Sequence, residues 1–257
     1  MLNLLFTHWQ IIIAFFVIAI LYSSVGFGGG SSYLAVLALF GLAFGQIRST
    51  ALLCNIIVVS SNVFLYYRQG IIDWKKTTPL VILSIPLAFL GGFLKITETL
   101  FFILFGCTLL FAALSMWSSK SVKQEKESMA RITSIKSTAI GGVIGFISGM
   151  VGIGGGIFLS PVLHLSYWDS PKKIAAASSF FILINSIFGI LGQYYNPNFD
   201  VNWELTSLLM IAVFTGGQIG HRLSNQLFTP IQLKKATAVL IAFVSLRIIW
   251  KYILLYF

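Results

Sequence analysis

Charged residues are scarce in this sequence. Of its 257 residues only 9% are charged, whereas 57% are hydrophobic and 15% are aromatic. A soluble domain carries about 25% charged residues, so a water-soluble enzyme is excluded, and the high hydrophobicity excludes a disordered chain. Bases outnumber acids by 17 to 7, but they form no patch with interleaved aromatic residues, which argues against a nucleic-acid partner. The composition predicts an integral membrane protein with several spans.

Cysteine, metal-binding spacings and catalytic motifs are also missing or sparse. Cys54 and Cys107 lie far apart, no CxxC occurs, and we expect neither a metal nor another cofactor. The motifs HExxH and GxSxG are absent, which disfavours a membrane-embedded enzyme. The first Lys or Arg is Arg48, so the N-terminal apolar run is predicted to be a span and not a cleaved signal peptide.

Apolar stretches between the charged clusters are long enough to cross a bilayer, which needs roughly 20 residues. They predict an all-α membrane protein with about ten spans, near 8–25, 31–46, 48–67, 77–95, 98–117, 138–152, 156–168, 173–195, 203–221 and 232–252. Three of these, 31–46, 138–152 and 156–168, are short and could be tilted, broken or re-entrant.

The distribution of Lys and Arg favours ten crossings. Ten crossings place most of these bases on one side, whereas eight, with 31–46 and 156–168 re-entrant, divide them almost evenly. Cytoplasmic loops carry the excess of positive charge. We therefore expect a multi-pass protein of the bacterial plasma (inner) membrane, in contact with lipid, with both termini outside and a cytoplasmic linker at 118–137. A homodimer is left open.

An internal repeat divides the chain. The run Gly26–Gly30 (GFGGG) is matched by Gly152–Gly156 (GIGGG). Further pairs follow in the same order: Ala51 with Ala177, Tyr66-Tyr67 with Tyr194-Tyr195, Trp74 with Trp203, and Gly91-Gly92 with Gly216-Gly217. We predict two homologous halves, 8–117 and 138–255, of five spans each. An odd number of spans inverts the second half, and inverted repeats are typical of secondary transporters with a midplane substrate site.

The paired glycine runs are the candidate site. A glycine break followed by a helix leaves N–H groups and the positive helix end free to bind an anion. We predict that a small anionic solute is bound by the amides of both runs: Gly28, Gly29, Gly30, Gly154, Gly155 and Gly156. Tight helix packing is the alternative, and it is favoured for Gly91-Gly92 and for Gly216-Gly217.

Polar residues of the spans complete the predicted site. Hydroxyl and amide groups that can donate to an oxyanion are Ser31, Ser32, Asn55, Ser178 and Asn185; the alternative is that they hold helices together. Arg48, which opens the third predicted span beside the outer mouth, is expected either to gate or attract anions or to end a helix. His164 is expected either to carry a proton or to be a hydrogen-bonded packing residue.

The motifs resemble those of the sulfite exporter TauE/SafE family over about 8–255. GIGGGIFLSP (152–161) and the small residues Ala175–Ser179 follow the family pattern. GFGGGSSYLA (26–35) departs from it, because Ala35 stands where proline is usual and Ser31 and Ser32 replace apolar residues. The resemblance implies transport of small sulfur anions such as sulfite or organosulfonates, and the departure indicates a substrate different from that of the named family members.

The sequence therefore predicts a secondary transporter of a small anion that works by alternating access. A non-transporting membrane assembly factor, a membrane-embedded enzyme and a channel are the alternatives.

Overall fold

A computed structural model describes residues 2–24, 26–118, 134–166, 168–197 and 199–223, together with positions 242, 245, 246, 249 and 250. In this part of the chain all regular secondary structure is α-helical. The ten helices are α1 Leu2–Ser24, α2 Gly30–Leu39, α3 Phe44–Arg68, α4 Trp74–Ile82, α5 Ser84–Phe93, α6 Glu98–Ser118, α7 Ser134–Val151, α8 Gly156–Leu165, α9 Pro171–Tyr194 and α10 Trp203–Arg222.

Three helical segments of the described chain are long and apolar enough to cross a membrane: Phe44–Arg68, Trp74–Phe93 and Pro171–Tyr194. Shorter apolar helices are His8–Ser24, Gly30–Leu39, Glu98–Phe111 and Ile135–Val151. Large apolar side chains such as Phe111, Ile135 and Val143 are exposed on the surface. An outer surface of this kind is suited to lipid, as the composition predicts.

Among the described residues, the helices coincide with the predicted spans except at the second and fourth spans. The span predicted at 31–46 is too long: α2 ends at Leu39, because Gly41 has a φ of 72° and turns the chain. The linker predicted at 118–137 falls between α6 and α7, which begins at Ser134, and its residues 119–133 lie outside the described chain. Most of the predicted span 232–252 likewise lies outside the described residues.

The fourth predicted span is interrupted once. It forms α4 and α5, which meet at Leu83. Pro86 lacks the N–H that would bond to the carbonyl of Ile82, so the helical ladder is broken at this level. The two pieces stay in line, and the combined segment Trp74–Phe93 is as long as a full span.

The direction of the central helices follows from their contacts. In α3 and α9, Asn55 donates to Ser186 and Leu52 packs at Gly189, while Tyr66 shares an apolar cluster with Ala176. Rising numbers in one helix therefore meet falling numbers in the other, so α3 and α9 are antiparallel. Each follows a short helix in the chain, α2 or α8.

The outer helices pack in parallel pairs. Helix α1 packs on α10, and α7 packs on α5. Glycine permits the close approach, because a β-carbon at Gly216 would lie 2.6 Å from the Phe16 carbonyl oxygen and one at Gly220 would clash with the Ile20 carbonyl. A β-carbon at Gly91 or Gly92 would likewise clash with a backbone carbonyl of α7 or α9. The packing role predicted for these glycine pairs is confirmed, except at Gly217, which has room for a side chain.

The two short helices are buried in two apolar clusters, and Phe158 of α8 packs against both. Helix α2 lies in a cluster with side chains of α1, α3, α6 and α10, which includes Phe15, Tyr33 and Phe105. Helix α8 lies in a cluster with side chains of α4, α7 and α9, which includes Leu159, Leu163 and Phe181. Both short helices therefore begin inside the protein, at the ends of the glycine runs.

Candidate functional site

The two glycine runs have similar local geometry, although Gly154 has a left-handed φ of 83° and its counterpart Gly28 does not. Each separates a long helix from a short one: α1 from α2, and α7 from α8. Gly29 and Gly155 precede the short helices with φ of 88° and 84°, and Gly26 and Gly152 begin the breaks with φ of 83°. A left-handed backbone of this kind is readily adopted only by glycine. The runs are therefore required as helix breaks, whatever else they do.

Both breaks leave amides free. Ser32 and Tyr33 donate to the Gly29 carbonyl, and Phe158 and Leu159 donate to the Gly155 carbonyl. Among the described residues, the backbone amides that immediately precede these donors, 28–31 and 154–157, donate no hydrogen bond. The first amides of a helix lack partners within it and carry the positive end of its dipole. Two buried helix starts thus present unpaired donors.

The two runs meet at Asn55, near the middle of α3. Its Nδ2 donates to the Ile153 carbonyl at 3.3 Å and to Ser186 Oγ at 3.1 Å, while its Oδ1 is buried without a partner. A β-carbon at Gly28 or Gly154 would clash with this amide, and one at Gly30 would lie 2.5 Å from the Ile153 oxygen. The backbones of the two breaks are therefore in direct contact.

The predicted serines are buried at the same level, with different partners. Ser32 Oγ lies 2.8 Å from Tyr22 Oη on α1, and Ser31 is buried beside it in the first turn of α2. Ser178 Oγ is fully buried and has no hydrogen-bond partner. Ser178 precedes Ile182 by one helical turn, and Ile182 packs against Gly154 and Gly156. Ser178 is thus an unused donor on the face of α9 that lines the second break.

Asn185 is not brought to the junction. Its Nδ2 donates to Ser84 Oγ at 3.2 Å and to the Phe181 carbonyl at 2.8 Å. Its Oδ1 would lie 2.9 Å from a β-carbon at Gly145. These contacts place Asn185 at the interface of α5, α7 and α9.

Ser186, the next residue, takes the place expected for Asn185. Ser178, Ile182 and Ser186 are spaced by four residues and form one stripe on α9, whereas Asn185 is turned about 100° away. Helical phase was the signal in the sequence that could have selected Ser186. Ser148 is a second residue of this kind, because its hydroxyl is buried without a partner and would lie 3.3 Å from a β-carbon at Gly155.

Arg48 lies inside the protein and not at an open mouth. Helix α3 begins at Phe44, so Arg48 is in its second turn, and only 3% of the residue is exposed. Its Nη2 donates to the Gly149 carbonyl at 3.3 Å, and its Nε has no partner. The guanidinium carbon lies 5.4 Å from the ring centre of Phe44 and 5.9 Å from that of Phe101. The alternative expectation, that Arg48 ends a helix, does not hold for α3, which begins four residues earlier at Phe44.

His164 lies on α8, two turns beyond the second glycine run. Its Nδ1 is 2.8 Å from the Ser160 carbonyl oxygen and 3.4 Å from Ser160 Oγ. These are contacts within its own helix, and they are typical of a packing histidine. The structure does not bring His164 to Asn55.

Paired helix breaks in an apolar, all-helical chain define a class, the polytopic membrane proteins with broken helices, to which many secondary transporters belong. Within that class, the chain belongs to the sulfite exporter TauE/SafE family, whose pattern matches residues 11–248. The resemblance carried by the glycine motifs is confirmed.

Relatives from bacteria and an archaeon cover most of the chain. It is 32% identical over 248 residues to the "Probable membrane transporter protein y4hK" of Sinorhizobium fredii, which is 93% of this chain and 96% of the relative. It is 26% identical over 242 residues to "Probable membrane transporter protein MJ0441" of Methanocaldococcus jannaschii, covering 87% and 88%. It is 25% identical over 233 residues to "Probable membrane transporter protein YunE" of Bacillus subtilis, covering 80% and 85%.

No solved structure matches the chain. The family and the names of the relatives support a membrane transporter in preference to an enzyme.

Proposed function

We propose that this protein is a secondary transporter that binds a small oxyanion between the starts of α2 and α8. The observation that carries the proposal is the meeting of two buried helix starts, with unpaired amides, around Asn55. Helix starts attract anions through their free N–H groups and their dipoles. Two of them converging on one place is an arrangement that packing alone does not require.

The side chains at the junction suit an oxyanion. Asn55 and the hydroxyls of Ser178, Ser148 and Ser186 provide donors that need no counter-charge. Hydrogen bonds to a charged acceptor are about twice as strong as neutral ones, and the buried setting strengthens them further. The amides of Gly28–Gly30 and Gly154–Gly156 would complete the shell, with Ser31 and Ser32 nearby.

The arrangement of the helices supports a mechanism of alternating access. Helices α3 and α9 occupy the same place in each half and are antiparallel, which supports two inverted repeats with ten crossings in all. One half would rock against the other around the site at the centre. In this topology the termini face outward and the linker 118–137 faces the cytoplasm, in the plasma membrane of a bacterium.

The sulfur chemistry of the substrate rests on the family. The family description names sulfite, whereas the names of the three relatives give no substrate. Sulfite and organosulfonates both present three oxygens on one sulfur, which suits a shell of many weakly polar donors. Ser31 and Ser32, which replace the apolar residues usual in the family, favour a substrate with an additional polar group.

The test is binding to the purified protein in detergent, followed by flux into proteoliposomes. Sulfite, sulfate, thiosulfate, taurine, sulfoacetate, phosphate and lactate would be compared at constant ionic strength. A ligand that binds only the folded state raises the melting temperature by mass action. We expect at least one sulfur anion to do so, and to accumulate against its gradient when the coupling gradient is imposed. Accumulation would exclude a channel.

Ser178→Ala tests the location of the site. The hydroxyl has no partner in the protein, so its loss leaves the apo melting temperature unchanged but reduces the shift produced by the anion. Ser60→Ala is the matched control, because Ser60 is exposed on α3 and bonds only to its own helix. If no anion shifts the melting temperature or enters the vesicles, the anion assignment fails, and an assembly factor without flux becomes the better account.

A further inference from the structure

Arg48 is the one basic residue among the described residues that is buried within the helical core. Burial of a guanidinium removes its hydration, which is strongly unfavourable unless the charge is paired. The ion pairs of the described chain join Asp169 to Lys76 and Lys173, and none involves Arg48. Its contacts are one carbonyl and two phenyl rings, and its Nε is buried without a partner, so no carboxylate of the described chain balances its charge.

The side chain is close to the second glycine run. The backbone of Arg48 would lie 3.4 Å from a β-carbon at Gly152, and its Nη2 bonds to Gly149, in the last turn of α7. Arg48 and Asn55 are two helical turns apart and share one face of α3, about 10 Å from each other along the axis. Arg48 and Asn55 therefore both lie beside the second glycine run, at successive levels along α3.

The fold does not require a cation at this place. The offset that relates Ala51 to Ala177 relates Arg48 to Ile174, which is buried at the matching turn of α9. The second half therefore has an apolar side chain at the matching position, packed in the cluster that contains Leu159 and Leu163. A charge retained on one side only is better explained by a ligand than by packing.

We propose that Arg48 is the cationic anchor of the anion path, on the Phe44 side of Asn55, and that it sets the preference for anions over neutral solutes. The inference rests on the proposed transport of an oxyanion. A planar guanidinium can donate two parallel hydrogen bonds to a sulfonate or sulfite group, and Nε is free to be one of the donors. In the proposed topology this is the outer side of the central site.

The structural alternative is that Arg48 only caps α7 through the Gly149 carbonyl, since cations are favourable at a helix C-terminus. The two accounts differ in the protein without ligand. A cap that is removed lowers stability, whereas removing an uncompensated buried charge leaves stability unchanged or raises it.

The experiment compares Arg48→Met and Arg48→Lys with wild type in the full-length purified protein. Arg68→Met is the matched control, because Arg68 is exposed at the other end of α3 and also lies over a phenyl ring, that of Phe64. The probes are sulfite and the isosteric pair methanesulfonate and methanesulfonamide, of which only the first is charged. The readouts are the melting temperature without probe and the Kd of each probe.

We expect Arg48→Met to melt at or above the wild-type temperature and to bind sulfite and methanesulfonate roughly 10- to 100-fold more weakly, the range for loss of a hydrogen bond to a charged group. Arg48→Lys keeps the positive charge but lacks the two parallel donors of the guanidinium, so anion binding should weaken less than in Arg48→Met. Binding of methanesulfonamide stays weak in every variant.

Two results would overturn the assignment of Arg48 while leaving the proposed function intact: unchanged anion binding in Arg48→Met, or a clear fall in its melting temperature without probe. If wild type binds neither the charged probes nor any of the anions compared above, both proposals fail.

Discussion

The two glycine runs have similar backbone conformations but different surroundings. In the first run, Gly26 faces the Tyr66 hydroxyl and Gly28 faces the Asn55 amide. In the second, Gly155 faces the Phe181 ring and Gly156 the end of the Ile182 side chain. Gly28 and its counterpart Gly154 both face the Asn55 amide, so the two breaks differ at the other positions: Gly30 meets the Ile153 carbonyl, whereas its counterpart Gly156 meets only the Ile182 side chain. Glycine alone specifies the break, whereas the opposing long helix specifies its chemistry.

Asn55 is the polar residue that distinguishes the two halves at the proposed binding site. It belongs to the first half but contacts both runs, and the offset between the runs places Phe181 at the matching position of the second half. A single amide therefore serves two helix starts. Two similar glycine runs with a single polar side chain between them can bind a small ligand in one orientation. Two identical halves would not distinguish its orientations.

The largest effect is expected at Gly30, the first residue of α2. A β-carbon there would lie 2.5 Å from the Ile153 carbonyl oxygen, which is backbone and cannot rotate away. Gly30→Ala should force the two runs apart, with a loss of unfolding free energy of about 1–3 kcal/mol and of the anion-induced shift in melting temperature. The Asn55→Ala background should give no relief. A smaller destabilisation in that background would mean that the Asn55 side chain, and not the Ile153 carbonyl of the second run, is the main obstruction to a β-carbon at Gly30.

Gly156, the counterpart of Gly30 at the start of α8, should behave differently. A β-carbon at Gly156 would clash only with the flexible end of Ile182. Gly156→Ala alone is expected to destabilise by about 1–2 kcal/mol. In the Ile182→Ala background the same change should have almost no effect, because the obstructing atoms are gone. A double-mutant cycle measured by thermal or denaturant unfolding gives the coupling, and additive effects would contradict the comparison.

Two neighbouring glycines inside α10, Gly216 and Gly217, should differ less in their effect on stability. Gly216 lies against the Phe16 carbonyl of α1, so Gly216→Ala should destabilise by about 1 kcal/mol. The adjacent Gly217 has only ordinary contacts, at 3.8 Å, so Gly217→Ala should be neutral or stabilise by up to about 1 kcal/mol through helix propensity. Melting temperatures of the two variants check this, and equal losses would show that the packing of α1 on α10 tolerates neither.

The sequence is sufficient to predict the helices and the two breaks, because apolar length and glycine act locally. It does not predict which side chains reach the breaks. Asn185 and Ser186 are neighbours in the sequence, and only the rotation of α9 against its neighbours decides that Ser186 faces Asn55. The burial of Arg48 likewise depends on how α3 packs on the end of α7. Such choices arise from contacts between residues far apart in the chain.

The smallest effect is expected where the loops of the two halves meet. At the start of α4, Lys76 Nζ lies 2.6 Å from Asp169 Oδ2, whereas the start of α3 carries a neutral donor, Gln46, bonded to Asp200. Burial raises the pKa of Asp169, but hydrogen bonds from Lys76 and the Ser170 amide and the charges of Lys76 and Lys173 outweigh it, so the pKa lies below its usual range.

Because the folded-state pKa is lowered, the bridge stabilises the protein above the unfolded-state pKa, and this contribution is lost as the pH falls through the folded-state value. Lys76→Gln should lower stability at neutral pH by less than about 1 kcal/mol, since the pair is partly exposed. The difference from wild type should shrink in acid. Lys75→Gln, at the exposed neighbouring lysine, is the control and should have no such dependence. A difference that stays constant across pH would mean that Lys76 stabilises the protein by its contact with Trp168 and not through its charge. The Lys76–Asp169 contact would then resemble the contact of the neutral Gln46 with Asp200 in gaining no stability from a charge on its donor.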